Sequence, residues 1–332
     1  TSELNFGLDF GLLGQKLTGS FDYFSRKTKD ILTTPPILGV IGEGGTQTVN
    51  GASMDNKGWE FNLGYTANSG DFNYSFRVNL SHFADKITYL PPSVVRDYPG
   101  NTEQTIINHS RTSIFGYVTD GLFQSQAEVD SYANQPGKGI GRIRYKDLNG
   151  DGKIDQLDQT WLGTTNPKLI YGVTGELYYK NFSLTLFVTG VQGVLVNDLA
   201  KQEKNSFLGL VAGMNKGVSL LDAWTPQNTG STIPMLSFSN NNSENRSSDY
   251  TIVNGSYVKL QMAQLNYNIP PEILSRIKLQ SVRVFCSGEN LLLFFQKKGT
   301  AAFTGPDPEV PPTISTGYPK PVKVTFGCDI SF

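Results

Sequence analysis

The dominant signal along the chain is strict alternation of apolar and polar residues. In FNYSFRVNLSHF (72–83), Phe72, Tyr74, Phe76, Val78 and Leu80 share one parity, against Asn73, Ser75, Arg77, Asn79 and Ser81 on the other. WEFNLGYTA (59–67) sets Trp59, Phe61, Leu63 and Tyr65 against Glu60, Asn62 and Thr66, and FSLTLFV (182–188) repeats the pattern with Phe182, Leu184, Leu186 and Val188. VKVTFGCDISF (322–332) ends the chain with Val322, Val324, Phe326, Cys328, Ile330 and Phe332 against Lys323, Thr325, Asp329 and Ser331. A period of two is that of a strand with one dry and one wet face.

Nine such strands are predicted, at about 3–13, 16–30, 56–68, 71–85, 168–180, 181–191, 256–269, 280–295 and 320–332. The links between them alternate in length. LGQ, NSG, the Lys180-Asn181 turn and NIPPEILSRIK are short; the stretches at about 31–55, 86–167, 192–255 and 296–319 are long. Long structureless loops are uncommon in compact domains, whereas short turns on one side and long loops on the other are the habit of outer-membrane barrels, the short side being periplasmic. The fold expected is an all-β, antiparallel transmembrane β-barrel wall with extracellular long loops. Tyr23, Phe24, Tyr65, Tyr178, Tyr179 and Tyr267 would supply interfacial girdles, and Glu60, Asn62, Arg77, Asn79, Thr185, Lys323 and Asp329 a hydrated lumen wall. A secreted β-sandwich, serving as a calcium-stabilised binding or adhesion module, would alternate too and is the competing reading.

Strand direction adds an expectation. If Phe332 ends on the periplasmic side, the first strand also runs inward from outside. Bacterial barrels have an even strand count with both ends inside. The chain is therefore expected to be the C-terminal part, nine or ten strands, of a larger barrel.

Composition narrows the picture. A mean hydropathy of −0.26, without any apolar run of about 18 residues, excludes a transmembrane helix but not a barrel. A net charge of −1 gives no basic face for nucleic acid. Cys286 and Cys328 form no CxxC or Cys/His cluster, so zinc and redox chemistry are not indicated. Both have apolar parity and are expected to face lipid as free thiols, with a cross-strand disulfide as the alternative. The opening TSELNFGLDF lacks the basic and apolar regions of a signal peptide.

One stretch carries candidate metal chemistry. In KDLNGDGKIDQLDQ (146–159), oxygen-bearing side chains fall at loop positions 1 (Asp147), 3 (Asn149), 5 (Asp151), 9 (Asp155) and 12 (Asp158). Gly152 stands at 6, and Lys153 at 7 offers its backbone carbonyl. This is calcium-loop spacing, and it suits Ca2+ better than Mg2+. Asp158 replaces the longer glutamate usual at position 12, which weakens bidentate reach. Neither flank is helical: GIGRIRY alternates like a strand, and TWLGTTNPK carries helix-stopping Gly and Asn-Pro. The ion is expected to clamp a loop that otherwise has little core. A bare Asp/Asn/Gly turn is the alternative.

Other candidates are weaker. His82 and His109 have no GxSxG or triad context, so no enzyme is expected. GEGGT (42–46) lacks the lysine of a P-loop and reads as a loop tip. SQAEVDSYANQ (125–135) predicts the one short helix, capped by Ser125 with Glu128 three residues on. Loop aromatics Tyr89, Tyr98, Phe115, Tyr117, Phe123, Trp224, Phe303 and Tyr318 are expected to anchor loops to one another in preference to stacking on a ligand.

A family resemblance adds to this. LTGSFDYFSRKTKDIL (17–32), MDNKGWEFNLGY (54–65), SIFGYVTDGLFQSQAEVD (113–130), RIRYKDLNGDGKIDQLD (142–158), AWTPQN (223–228), GSYVKLQMAQLNYNIP (255–270), VRVFCSGENLLLF (282–294) and PDPEV (306–310) resemble, in this order, the C-terminal half of SusC/RagA-like TonB-dependent transporters of Bacteroidetes. The resemblance implies a barrel of about 22 strands with a plugged lumen in the bacterial outer membrane. It also implies a SusD-like surface lipoprotein as lid, energy from the TonB complex, and an oligosaccharide or oligopeptide as cargo. Phe332 resembles the aromatic end read by barrel-assembly machinery. The plug, the TonB-contacting segment and the first strands have no counterpart here.

Overall fold

The computed structural model describes residues 1–34, 48–95, 98, 100–198, 217–239, 241–275, 278–295, 303, 305, 307–309 and 320–332. The GEGGT tip, Tyr318, and Pro306 and Val310 of the PDPEV motif lie outside the described residues.

In chain order the strands are β1 (Ser2–Leu12), β2 (Leu17–Thr33), β3 (Val49–Ser69), β4 (Phe72–Tyr89), β5 (Ser113–Gly116), β6 (Thr119–Leu122), β7 (Ile143–Tyr145), β8 (Thr160–Thr164), β9 (Leu169–Tyr179), β10 (Phe182–Gln192), β11 (Leu195–Asn197), β12 (Ile252–Asn254), β13 (Tyr257–Asn268), β14 (Ser281–Phe295) and β15 (Lys323–Ser331). Short helices are α1 (Pro92–Val95), α2 (Gln126–Ser131) and α3 (Pro271–Leu274). The nine predicted strands form one antiparallel sheet in the order β1-β2-β3-β4-β9-β10-β13-β14-β15, a meander with β1 and β15 at its edges. The remaining six make three two-stranded ribbons, β5 with β8, β6 with β7 and β11 with β12.

The short turns follow from local chemistry. Ser69 pairs with Phe72 across Gly70-Asp71, and Gly70 takes φ +60, the left-handed first position of a two-residue hairpin turn, which glycine adopts without strain. β9 and β10 close in the same way, with Lys180 at φ +52. At the other end the strands run further than predicted. β2 and β3 stay paired through Ile31↔Ala52 and Thr33↔Val49, deep into the expected 31–55 connection. NGASMDNK reads as a turn by content, but the continuing ladder and the burial of Ala52 override propensity. At about 3.3 Å per residue, the 21 residues of β3 extend far beyond a bilayer.

The alternating faces do not meet a second layer. Leu4, Phe6 and Phe326 are 67, 61 and 77% exposed, and no other sheet among the described residues packs on that side. The sandwich reading therefore falls, because an unpartnered apolar face of this extent would not stay in water.

The hydrophobic core lies instead in the long loops. One cluster joins Tyr117, Leu122, Ile143, Tyr145, Ile154 and Trp224; a second joins Ala52, Ile87, Leu90, Val94, Ile106 and Phe115. This corrects the expectation of a loop with little core: residues from 86–167 and 217–254 bury each other and the tops of β3 and β4. The helix prediction is also corrected in number. Ser125 Oγ does accept from the Glu128 N–H at 3.3 Å, and Glu128 accepts in return from Gln124 N–H at 2.8 Å, but α1 and α3 accompany α2.

Candidate functional site

The sheet register places the polar parity on one continuous wall. Asp9, Ser20, Asn62, Asn79, Gly172, Thr189 and Lys259 lie in one row across seven strands. Side chains on this wall bond from strand to strand. Asn62 Nδ2 donates to Ser20 Oγ at 3.1 Å, and Asn79 Nδ2 donates to Asn62 Oδ1. Arg77 pairs with Glu176 at 3.0 Å, and Ser75 donates to the same carboxylate. Asn266 donates to Ser183 at 3.0 Å. Arg283 pairs with Asp329, and Lys323 with Glu289 at 3.3 Å. All seven predicted lumen residues, Glu60, Asn62, Arg77, Asn79, Thr185, Lys323 and Asp329, fall on this parity. One register shift, between Leu260 and Met262 in β13, is what keeps Lys259 and Gln264 on the same side. Where Gly172 leaves the wall bare, an open cavity of about 610 Å³ is bounded by Glu60, Asn79, Thr189 and Glu309 among others.

The opposite face carries Phe61, Leu80, Tyr171, Leu184 and Leu186, with an aromatic cluster beside the short turns. Tyr65, Tyr74, Phe72 and Phe76 stand 5.7–6.1 Å apart by ring centroid, and Phe182 meets Tyr267 at 4.7 Å. These rings cluster at the short-turn end of the sheet, the place an interfacial girdle takes in a membrane barrel. Phe24 and Tyr178 do not join it: each follows a girdle-side residue or precedes one by a single step, and Phe24↔Gly58 and Tyr178↔Ser183 put them on the lumen parity.

Beyond the sheet, the loop module is organised by charge that the sequence pattern does not single out. Glu244 is fully buried. Its Oε1 accepts from Ile143 N–H at 2.9 Å and from Asn242 Nδ2 at 3.1 Å, and its Oε2 pairs with Arg142. Gln135 Nε2 donates to Asn242 Oδ1 and Ile143 O at 2.6 and 2.8 Å, and its Oε1 accepts from Tyr145 N–H at 3.0 Å. Burial pushes the Glu244 carboxyl up from its ordinary value, with Arg142 and the Ile143 amide pulling the other way. Burial likewise pushes the Tyr145 phenol up. Arg246 lies 4.6 Å from the ring centroids of both Tyr117 and Tyr145, a double cation–π contact. Phe115, Tyr117, Phe123, Trp224 and Phe303 are buried, as loop anchors should be, whereas Tyr89 is exposed.

The predicted metal loop is ordered by its own backbone. Asp147 accepts from Gly150 and Gly152 N–H at 2.7 and 2.8 Å, Asn149 from Asp151 N–H at 3.1 Å, and Asp151 from Lys153 N–H at 2.9 Å. Asp155 accepts from Leu157 N–H at 2.8 Å. Asp158, fully buried, ties the loop shut by accepting from Leu148 and Asp155 N–H, both at 2.8 Å. Gly152 takes φ +79, as position 6 requires, and Ile154 anchors the loop in the core. Among the described residues, no group of three or more His, Cys, Asp and Glu side chains is gathered closely enough to hold a metal ion.

Cys286 and Cys328 are free thiols on the apolar parity, each opposite a neighbour of the other, Cys286↔Phe326 and Val284↔Cys328. His82 Nδ1 sits 2.6 Å from the Lys168 carbonyl oxygen. His109 stacks on Trp161 at 5.0 Å and meets Phe115 edge-on at 5.7 Å.

No protein-family model matches the chain. It is similar to TonB-dependent receptor P3 of Formosa agariphila, 30% identical over an alignment of 321 positions that covers 93% of this chain and 30% of that receptor. It is also similar to TonB-dependent receptor SusC of Bacteroides thetaiotaomicron, 26% identical over an alignment of 341 positions that covers 100% of this chain and 32% of SusC. Among solved structures, the RagAB peptide transporter superposes with a TM-score of 0.74 at 21% identity, over 99% of this chain and 35% of that one. The RagAB importer in its closed-closed state gives 0.72. Sequence and fold together define a piece of TonB-dependent transporter barrel. Within that class the chain is SusC/RagA-like, and it spans about a third of the length of the relatives it matches.

Proposed function

We propose that this chain forms part of the wall and outer loop module of an outer-membrane importer that takes up oligosaccharides or oligopeptides. The observation that carries the reading is the two-faced meander: one polar, hydrogen-bonded wall, one exposed apolar face with aromatic rings beside the short turns, and, among the described residues, two hydrophobic clusters that join the connections at 31–55, 86–167 and 192–255. The short-turn side, with Phe332, would be periplasmic. The rest of the protein would supply the remaining strands, the plug and the contact with the TonB complex. A SusD-like lipoprotein would close over the loop module, where Val218, Leu221 and Phe238 are 80, 84 and 80% exposed, a surface that suits a protein partner. Disrupting the gene for the full-length protein should abolish growth on the oligomeric nutrient, and restoring it should require intact TonB. Unchanged uptake in the disrupted strain would refute the reading.

The loop at 147–158 is proposed to take a structural calcium ion through Asp147, Asn149, Asp151, the Lys153 carbonyl, Asp155 and Asp158. Support comes from the spacing, the left-handed Gly152 and the loop closure at Asp158. The ion would stiffen the loop and do no chemistry. Sensitised terbium luminescence, competed by calcium and lost in Asp151→Ala, is the expected result; no terbium signal from the intact protein would leave the loop as a hydrogen-bonded turn.

A further inference from the structure

We infer that Lys259 latches the segment Asp307–Glu309 onto the lumen wall, making that segment an internal strap that narrows the import path. The inference rests on the proposed barrel reading for its functional meaning, but not for its geometry.

Lys259 belongs to the polar row of the wall, opposite Thr189 of β10. Other cations on this wall are open to solvent: the Arg77, Arg283 and Lys323 side chains are 62, 49 and 63% exposed. The Lys259 side chain is only 2% exposed. What covers it comes from the β14–β15 connection. Lys259 Nζ donates to Asp307 Oδ2 at 2.9 Å and to Glu309 Oε2 at 2.8 Å. Lys320 Nζ reaches the same Glu309 oxygen at 2.7 Å, and Glu309 N–H donates to Asp307 Oδ1 at 2.9 Å. Phe303, 2% exposed, seats the approach to the strap edge-on against Phe295 at 5.7 Å.

The chemistry makes this a latch. A lysine buried on a strand cannot stay charged without paired carboxylates, and both carboxylates come from one short segment. The segment therefore leaves the wall only by giving up both contacts at once, and removing the lysine charge would leave the Asp307 carboxylate, 4% exposed, without its partner. Glu309 also bounds the lumenal cavity shared with Glu60 and Asn79, so the strap stands where a passing solute would meet it.

The test uses the full-length protein in outer membranes, with Cys286 and Cys328 replaced by alanine and the buried Pro308 replaced by cysteine. Labelling by a membrane-impermeant maleimide is timed on folded barrel only, scored by its heat-dependent gel mobility. Lys259→Met should speed labelling at least about tenfold, since breaking a buried pair is strongly unfavourable, while Lys259→Arg should stay near the parent rate. Should Lys259→Met fail to assemble, Asp307→Asn, which lies outside the strands, must show the same acceleration. Labelling unchanged in an assembled Lys259→Met or Asp307→Asn protein would overturn the latch. This readout is independent of nutrient uptake, so a failed importer reading and a failed latch are distinguishable.

Discussion

Arg142 and Glu244 stand 102 residues apart in the chain and meet as an ion pair, with side chains 8% and 0% exposed, at the centre of the outer loop module. Two long connections are thereby made into one folded unit. Glu244→Ala should cost the module about 3–5 kcal/mol, because the Arg142 charge is left buried without its partner. Amide exchange should rise over 118–158 while the barrel strands stay protected. Equal loss of protection in β9 and β10 would show that module and wall do not fold as separate units.

Asp158 separates the roles of hydrogen bonding and ion binding. Its carboxylate accepts from two backbone N–H groups, a closure that needs no ion. Asp158→Ala should therefore destabilise the loop by about 1–3 kcal/mol for each donor left unpaired, even in chelator. Chelation of the unaltered protein should loosen residues 139–168 to proteolysis and leave the strand signal in circular dichroism intact. Collapse of that strand signal on chelation would mean an ion sits in the core.

His109, stacked on Trp161 and partly buried, gives the module a pH dependence. Burial, and then the nearby Lys86 charge, lower the His109 pKa below its ordinary 6.5. The unfolded loop therefore gains its proton near that value, before the folded loop does, and stability falls as pH drops from there to the lowered folded value. Protease resistance of the loop should decline as pH falls below about 6.5, and His109→Gln should flatten that decline. A profile unaltered by His109→Gln would place the titration elsewhere.

The two faces of β10 predict opposite tolerances. Leu186→Arg, on the apolar face, should lower barrel stability by about 2–4 kcal/mol near the bilayer midplane, whereas Thr185→Arg one residue away should cost little. Urea titration of the folded protein in lipid reads both. Equal costs would remove the assignment of faces.

The nine strands were legible because period two survives wherever one face meets lipid and the other water, as in Phe72 to Ser81. Their true lengths were not, since Asn50, Gly51 and Asp55 carry turn-like identities and only the pairing with β2 and the burial of Ala52 hold them extended. Phe24 and Tyr178 have girdle-type identities, but their parity, through Phe24↔Gly58 and Tyr178↔Ser183, decides their face. The loop module left almost no sequence signal, because Gln135, Arg142, Asn242, Glu244 and Arg246 gain meaning only when segments about a hundred residues apart come together. The calcium-like spacing was visible, yet sequence alone did not show that the same side chains satisfy the loop's own amides. Lys259 and Asp307 were hidden for the same reason, one in an ordinary strand and the other in a loop motif.

The most direct test of the account is nitroxide scanning of residues 183–188 in β10 of the full-length protein in lipid bilayers, reading collision with oxygen against collision with a water-soluble nickel complex. The account predicts alternation: oxygen-dominated relaxation at Leu184, Leu186 and Val188, and nickel-favoured relaxation at Ser183, Thr185 and Phe187. A profile without a period of two, or one in which water reaches both parities, would contradict the assignment of this chain to the wall of a membrane barrel.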